Sequence, residues 1–587
     1  MNRHRELTLR ALLTGLALGA LLTPSNVYSG LKIGWSFNMS IIALLLGFAF
    51  WNGPGRRRGQ QAWSMHESNI NQTTASAAAS IISGGLVAPI PAYTMLTGHS
   101  PDTLALVAWV FSVSFLGVWV AWYLRPSFIV GSELRFPEGM ATFATLQEIY
   151  GQGAEAGKRV AALGAAASLS SLVKLADLAW TLPRWAPSPM LERLTFTAEP
   201  SLLLLGFGGI VGLRVGLSLV AGALLAWGAI APWLLNAGWV DVPAGATGPQ
   251  FATLVEWLLW PGVGLMVCAT LTSLGLRAVR ERRVAAGGAP DPACAGSPDG
   301  ETPATDLPHA GPLRRGWPGL PAFALLFSAA LVIALQVALF DIDPLLAAMS
   351  VPLAVLLAIV AARVVGTTGI PPIGAIGKLS QLAFGAMAPG QVAINLMSAN
   401  SAGGAAGQAT DLLNDFKVGN AIGASPSRQA IGQCLGIVVG SLVGVLVYRL
   451  LIPDPQAMLI TAEWPAPAVA TWKAVAEALT GGIDSIAVDS RWAMLVGAVA
   501  GIALGTVEAL LPVRKLRWWP SSAALGLAFI VPASISLVMG VGAVLAWLLG
   551  RWSRGVADRF AIVAAAGLVA GESITGVGAS LVALLQH

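Results

Sequence analysis

Charged side chains are scarce in this sequence: 11% of residues are Asp, Glu, Lys or Arg, where a soluble domain carries about 25%. A chain of 587 residues with so little charge cannot cover its own surface, so water is not its main solvent. Cysteine is scarcer still. Cys268, Cys294 and Cys434 lie far apart with no CxxC spacing, which implies neither a disulfide framework nor a zinc site. The five histidines show no HExxH or other paired ligand spacing, so no resident metal and no cofactor is expected. The absence of HExxH and G-x-S-x-G also argues against an intramembrane enzyme. A phosphate loop is missing too: GxxxxGK[ST] would need Gly at Pro372 and Ser or Thr at Leu379. With no nucleotide motif, any transport by such a chain would have to draw on an ion gradient.

What the sequence does have is long apolar runs. Hydrophobic residues make up 55%, and the mean hydropathy is +0.71. The runs are Ala11–Thr23, Ser40–Trp51, Thr103–Leu124, Leu202–Leu235, Leu320–Phe340, Leu345–Val365, Ile431–Leu451, Ala493–Leu511, Ala523–Leu549 and Phe560–Leu585. At about 20 residues per span, they predict roughly 14–16 membrane helices, several runs being long enough for two. The runs are continuous rather than alternating, which excludes a β-barrel reading. The basic residues cluster at Arg3, Arg5 and Arg10, at Arg56–Arg58, and at Arg277, Arg280, Arg282, Arg283, Arg314 and Arg315. The positive-inside rule places these clusters, and the N-terminus, in the cytoplasm. No basic domain or aromatic interleaving accompanies them, so nucleic acid is not a partner.

The stretch from Arg277 to Arg315 is rich in Gly, Pro, Ala and acids and reads as a flexible cytoplasmic linker. It divides the chain into membrane halves at 1–276 and 317–587, with 277–316 between them. A second polar insertion, Pro453–Arg491 (452–491 as a loop), is expected outside the membrane, with Trp464 and Trp472 at its surface. The halves show a faint likeness: Ala77, Gly98 and Ser100–Pro101 fall on Ala402, Gly423 and Ser425–Pro426 without gaps. Related halves with the substrate between them are a common transporter construction. Gly and Pro number 67 and 36; in membranes such density marks close helix packing and broken helices that line a cavity. The strongest candidate for a break is Gly366–Gly385, with two prolines after Gly369.

Candidate chemistry sits on the few buried-looking charges. In HESNINQTTASAAAS (His66–Ser80), the residues Asn69, Thr73, Ser76, Ser80 and Gly84 share one helical stripe that suits tight packing. Glu67 and Asn71 lie beside it, four apart. A carboxylate in a bilayer costs about 2.5–3.5 kcal/mol on insertion scales and usually serves a pathway; the competing reading puts Glu67 at the interface. Asp411 and Asp415 are also four apart on one helical face, where like charges repel and a shared proton is favoured. They could carry a proton, bind a cation, pair with Lys417 or Arg428, or be solvated in a wet turn. Glu572 lies in the last apolar run, Glu138 behind Pro137 at a helix start, where acids are favoured by the dipole, and Lys378 in the Gly/Pro-broken segment. Lys174 with Asp177 reads as a structural i,i+3 pair.

Several of these motifs resemble the oligopeptide transporter superfamily, which includes the yellow-stripe-like metal–chelate transporters. The resemblance covers nearly the whole chain. It is carried by NVYSGLKIGWSF (Asn26–Phe37), by Glu67 with Gln72 and Thr73, by LRFPEGMA (Leu134–Ala141) and by GIPPIGAIGKLSQLAFG (Gly369–Gly385). DLLNDFKVG (Asp411–Gly419), with Ser425–Pro426 and Gln433 in register, and AAAGLVAGES (Ala564–Ser573) complete it. The likeness just after the first apolar run argues against reading that run as a cleaved signal peptide. The sequence lacks an NPGPFN-like segment, has Gly-Glu rather than Gly-Asp at Gly571–Glu572, and varies from the plant pattern at Ser68 and Asn71, which suits a prokaryotic member. The resemblance implies an all-α polytopic membrane protein of about sixteen helices in two related halves, with broken or re-entrant segments. It further implies proton-coupled import of small peptides, or alternatively metal–chelate complexes, across a bacterial inner membrane. Glu67, Asn71, Gln72, Thr73, Glu138, Lys378, Asp411, Asp415, Lys417, Arg428, Gln433 and Glu572 are the expected substrate-binding or proton-coupling residues. A homodimer is compatible with this reading.

Overall fold

The computed structural model describes residues 6–34, 38–52, 62–132, 134–151, 153–240, 248–285, 319–368, 373–482, 486–516 and 519–586. Arg3, Arg5, Arg56–Arg58, Arg314, Arg315, Cys294 and the Gly369–Pro372 break lie outside them. The described residues are helices and their connections, without strands. In the N-terminal part these are α1 (Leu9–Ile33), α2 (Ser40–Asn52), α3 (Met65–Ala79), α4 (Pro89–Thr97), α5 (Thr103–Arg125), α6 (Pro137–Gly151), α7 (Gly153–Trp180), α8 (Leu202–Ala223) and α9 (Phe251–Ala285). Then follow α10 (Leu320–Phe340), α11 (Pro344–Thr368), α12 (Ile373–Met387), α13 (Ala399–Ala421), α14 (Pro426–Leu451) and α15 (Pro467–Thr480). The last are α16 (Val488–Leu510), α17 (Ser522–Leu527), α18 (Ala533–Trp552) and α19 (Ile562–Gln586). Shorter turns connect them. Helix α9 runs on to Ala285, into the start of the expected linker.

Among the described residues, twelve helical segments are long and apolar enough to cross a membrane, fewer than apolar-run counting suggests. The difference has a physical cause. Helices α2, α6, α12 and α15 have 13 to 15 residues, below the length of a full span. Helix α13 has the length but is too polar. The segment Met65–Thr97, in contrast, counts as one crossing although it is interrupted.

That interruption corrects the continuous helical stripe expected from Asn69 to Gly84. The α-helix stops at Ala79, and Ser80–Gly84 tighten into a 3-10 turn. Gly85 follows at φ 110°, a conformation that L side chains rarely adopt. The break is anchored on α13: Asn400 Nδ2 donates to the Gly84 carbonyl at 2.8 Å, and the Ser83 hydroxyl to Gln408 Oε1 at 3.2 Å.

The helices pair in a repeating pattern. Helix α1 packs on α3, and α11 on α13; α2 packs on α3, and α12 on α13. Across the chain, α3 packs on α14 and α5 on α13, while α7 packs on α19 and α9 on α16. Helix α8 lies against α18. Glycines make these approaches close. A Cβ on Gly571 would overlap the Ala167 carbonyl of α7, whereas Gly578, two turns further on, has open space around it. Gly571→Ala is therefore expected to destabilise the protein by about 1–3 kcal/mol, seen as a lower unfolding midpoint in detergent, with Gly578→Ala unchanged.

The polar insertion contains a packed helix, α15. Trp464 and Trp472 are buried, and α15 packs against α4 and α12. Its buried residues (Val469, Ala470, Thr471, Trp472, Ala474, Val475 and Ala476) run round nearly the whole helix, as on one enclosed by neighbours.

A carboxylate cluster as candidate functional site

Glu67 heads α3 as part of a capping box. Its backbone N–H donates to Ser64 Oγ at 3.2 Å, and its carboxylate accepts from the Ser64 N–H at 3.1 Å. Arg10 binds the same carboxylate bidentately, Nε to Oε1 at 2.7 Å and Nη2 to Oε2 at 2.6 Å, and the Thr8 hydroxyl adds a bond of 2.7 Å. The Arg10 guanidinium also lies 5.4 Å from the ring centres of Trp51 and Trp63. Glu67 thus ties the start of α1 to the start of α3. It is fully engaged there and stands apart from the other acids.

Asp411 and Asp415 lie within α13 rather than at its start. Asp411 is ten residues before the end of that helix, about 15 Å along the axis. Asp415 is 3% exposed, so the solvated-turn reading fails for it. Glu138, the second residue of α6, joins them: the three carboxylates act on one another electrostatically. Their hydrogen-bond partners are neutral. Asn414 Nδ2 donates to Glu138 Oε2 at 3.0 Å, with Asn38 also beside Glu138; Ser80 lies beside Asp411, and Gln72 beside Asp415. The expected cations are elsewhere. Lys417 Nζ donates to the Leu134 carbonyl at 2.7 Å, and Arg428 pairs with Glu6 at 3.6 Å. No group of His, Cys, Asp and Glu among the described residues is arranged to hold a metal ion.

Around the acids is a shell of buried amides and hydroxyls. Gln72 Nε2 donates to Asn69 Oδ1 at 3.2 Å and to Thr73 Oγ1 at 3.1 Å. Gln429 of α14 donates to the Asp415 carbonyl at 2.8 Å and to Thr73 Oγ1 at 3.5 Å. Asn71 donates to the Ala43 carbonyl at 2.8 Å, fastening α3 to α2. Gln433, one turn beyond Gln429, is fully buried, and neither of its side-chain polar atoms has a hydrogen-bond partner among the described residues. Such orphaned groups are costly in low dielectric and mark where a water or ligand is accommodated.

The remaining candidates fall outside this cluster. Lys378 is buried on α12 with its ammonium 5.7 Å from the Trp472 ring, and no carboxylate among the described residues pairs with it. Glu572 accepts from Ser201 Oγ and from the Leu203 N–H, both at 2.8 Å, capping the positive end of α8. The Lys174–Asp177 pair forms at 3.3 Å. Sequence reasoning missed Asn38, Ser40, Asn414 and Gln429. Asn414 and Gln429 had a usable signal: Asn414 is three residues after Asp411, and Gln429 four before Gln433, on the same helix faces. Asn38 and Ser40 had none beyond helix-cap chemistry.

A helical bundle with twelve segments long and apolar enough to cross a membrane among the described residues, and with acids gathered among amides between its helices, is a multi-span membrane protein of the transport class. The comparison with known families agrees: residues 6–583 match the OPT oligopeptide transporter protein family, and the chain belongs to it. The family consists of transporters, not enzymes. Relatives include a putative oligopeptide transporter of Saccharomyces cerevisiae, 23% identical over 98% of this chain and 95% of the relative. A putative oligopeptide transporter of Haemophilus influenzae is 26% identical, with 94% and 91% covered. A probable metal-nicotianamine transporter of Oryza sativa subsp. japonica is 24% identical, with 99% and 86% covered.

Proposed function

We propose that the protein is a proton-coupled symporter that imports small oligopeptides or peptide-like compounds across a bacterial inner membrane, its N-terminus cytoplasmic. The observation that carries this is the Glu138–Asp411–Asp415 cluster, three acids gathered between helices with Asp415 buried and no cation beside them among the described residues. Acids so placed suit proton carriage. In this reading Asp411 and Asp415 hold the proton, Glu138 meets a substrate amine, and Lys378 meets a substrate carboxylate. Asn71, Gln72, Thr73 and Gln433 form the polar lining. Glu67, Lys417, Arg428 and Glu572 hold the helix ends that must stay rigid while the site opens to alternate sides.

The alternating pairings of α3 with α14 and α5 with α13, and of α7 with α19 and α9 with α16, support two related halves of about eight helices each, counted at full-span and broken-span lengths. The metal-nicotianamine name of the rice relative favours a second reading, with a metal chelate as cargo.

The test is uptake by proteoliposomes under an imposed proton gradient. Labelled dipeptide should accumulate above its outside concentration and drain when an uncoupler is added. Uptake that only equilibrates, with or without uncoupler, sinks the proton-coupled reading.

A further inference from the structure

A cavity of about 230 Å³ opens beside the carboxylate cluster. Its walls come from α2, α7, α8 and α19, chiefly Ile42, Leu45, Leu163, Ile210, Val563 and Ala566. Its polar groups are few: Glu138, Asn38 and Thr142, from α6 and the residues before α2. Glu138 is therefore shared between the cavity and the acid cluster, and its partners are the neutral amides of Asn38 and Asn414. No lining residue is cationic.

We propose that this cavity is the subsite for the first residue of the transported molecule, holding an aliphatic side chain against the apolar wall while the adjacent free amine sits on Glu138. The inference rests on the transport reading above and names the substrate class within it.

Three features carry it. The volume is below the roughly 300–1,000 Å³ of sites that enclose drug-sized ligands, so it takes one side chain and not a whole chelate. The wall is hydrocarbon, which rewards burial of an aliphatic group and gives nothing to a carboxylate. The one ionisable group facing it is an acid, Glu138, and no cation lines the wall. A chelate bearing several carboxylates meets hydrocarbon and like charge here; an ammonium beside an aliphatic chain meets a partner for each part.

The experiment measures binding of four probes to the full chain in lipid nanodiscs by calorimetry: Leu-Ala, Gly-Ala, N-acetyl-Leu-Ala and an iron–nicotianamine complex. Leu-Ala is expected to bind about tenfold or more tightly than Gly-Ala, the fold-change that burying one Leu side chain produces, and tighter than the acetylated peptide and the chelate. Ala566→Leu fills the cavity and should bring the Leu-Ala to Gly-Ala ratio towards unity. Glu138→Gln should erase the preference for the free amine over its acetylated form. An unfolding midpoint measured on each variant identifies misfolding, and either variant alone decides the matter. Equal binding of acetylated and free Leu-Ala, a chelate bound more tightly than Leu-Ala, or a Leu-to-Gly ratio unmoved by Ala566→Leu overturns the subsite and leaves the cavity a lipid crevice. Proton-driven uptake of the same probes separates the two failures. Uptake without first-residue preference removes the subsite and keeps the symporter; a first-residue preference in binding without proton-driven uptake of any probe keeps the subsite and removes the symporter.

Discussion

Replacing Asp415 by Asn is expected to abolish accumulation of substrate under a proton gradient while leaving exchange of labelled for unlabelled substrate intact. Asn has nearly the shape of Asp and keeps a polar oxygen beside Gln72, so the helix contacts around it persist. What it cannot do is bind and release a proton. Asp415 is the most enclosed of the three acids and feels both Asp411 and Glu138; removing its charge removes the coupling site and not the substrate partner assigned to Glu138. Without coupling, the inside concentration rises no higher than the outside one. Counterflow and gradient-driven uptake, measured on the same proteoliposomes, separate the two. Accumulation by Asp415→Asn at the wild-type level would move the proton to Asp411 or Glu138.

Glu67→Ala should act on stability. Arg10, 22% exposed in its side chain, loses a carboxylate that is only 3% exposed, and Thr8 and the Ser64 N–H lose their acceptor. Removing one partner of a buried, hydrogen-bonded ion pair costs about 3–5 kcal/mol, visible as a large drop in the unfolding midpoint in detergent. Glu67→Gln should lose less, because an amide oxygen still accepts from Thr8 and the cap. If Glu67→Gln unfolds at the wild-type temperature yet fails to couple protons, Glu67 belongs to the transport path and not to the joint between α1 and α3.

The two acids with similar surroundings in the sequence therefore part company in the fold. Both HESNINQT and DLLNDF place a carboxylate among amides in an apolar chain. One meets an arginine 57 residues away; the other meets acids and amides from three other helices. Neither partner set follows from local spacing. Arg10 read as a topology signal and Asn38 drew no reading, because nothing within a turn of either shows what it will touch. The polar insertion shows the same limit: its composition is that of a loop, yet α15 within it is buried against α4 and α12.

The sequence by itself determined the solvent, the helical class and the family. Scarce charge and continuous apolar runs allow no other solvent than lipid and no other backbone than one that satisfies its own hydrogen bonds. The tertiary structure decided which acids converge, where α3 breaks at Gly85, and that one carboxylate of the cluster also faces a cavity. Those depend on contacts between residues hundreds of positions apart, such as Asn414 with Glu138 and Asn400 with Gly84. Helix periodicity fixes which side of a helix a residue occupies, but packing alone fixes what stands opposite.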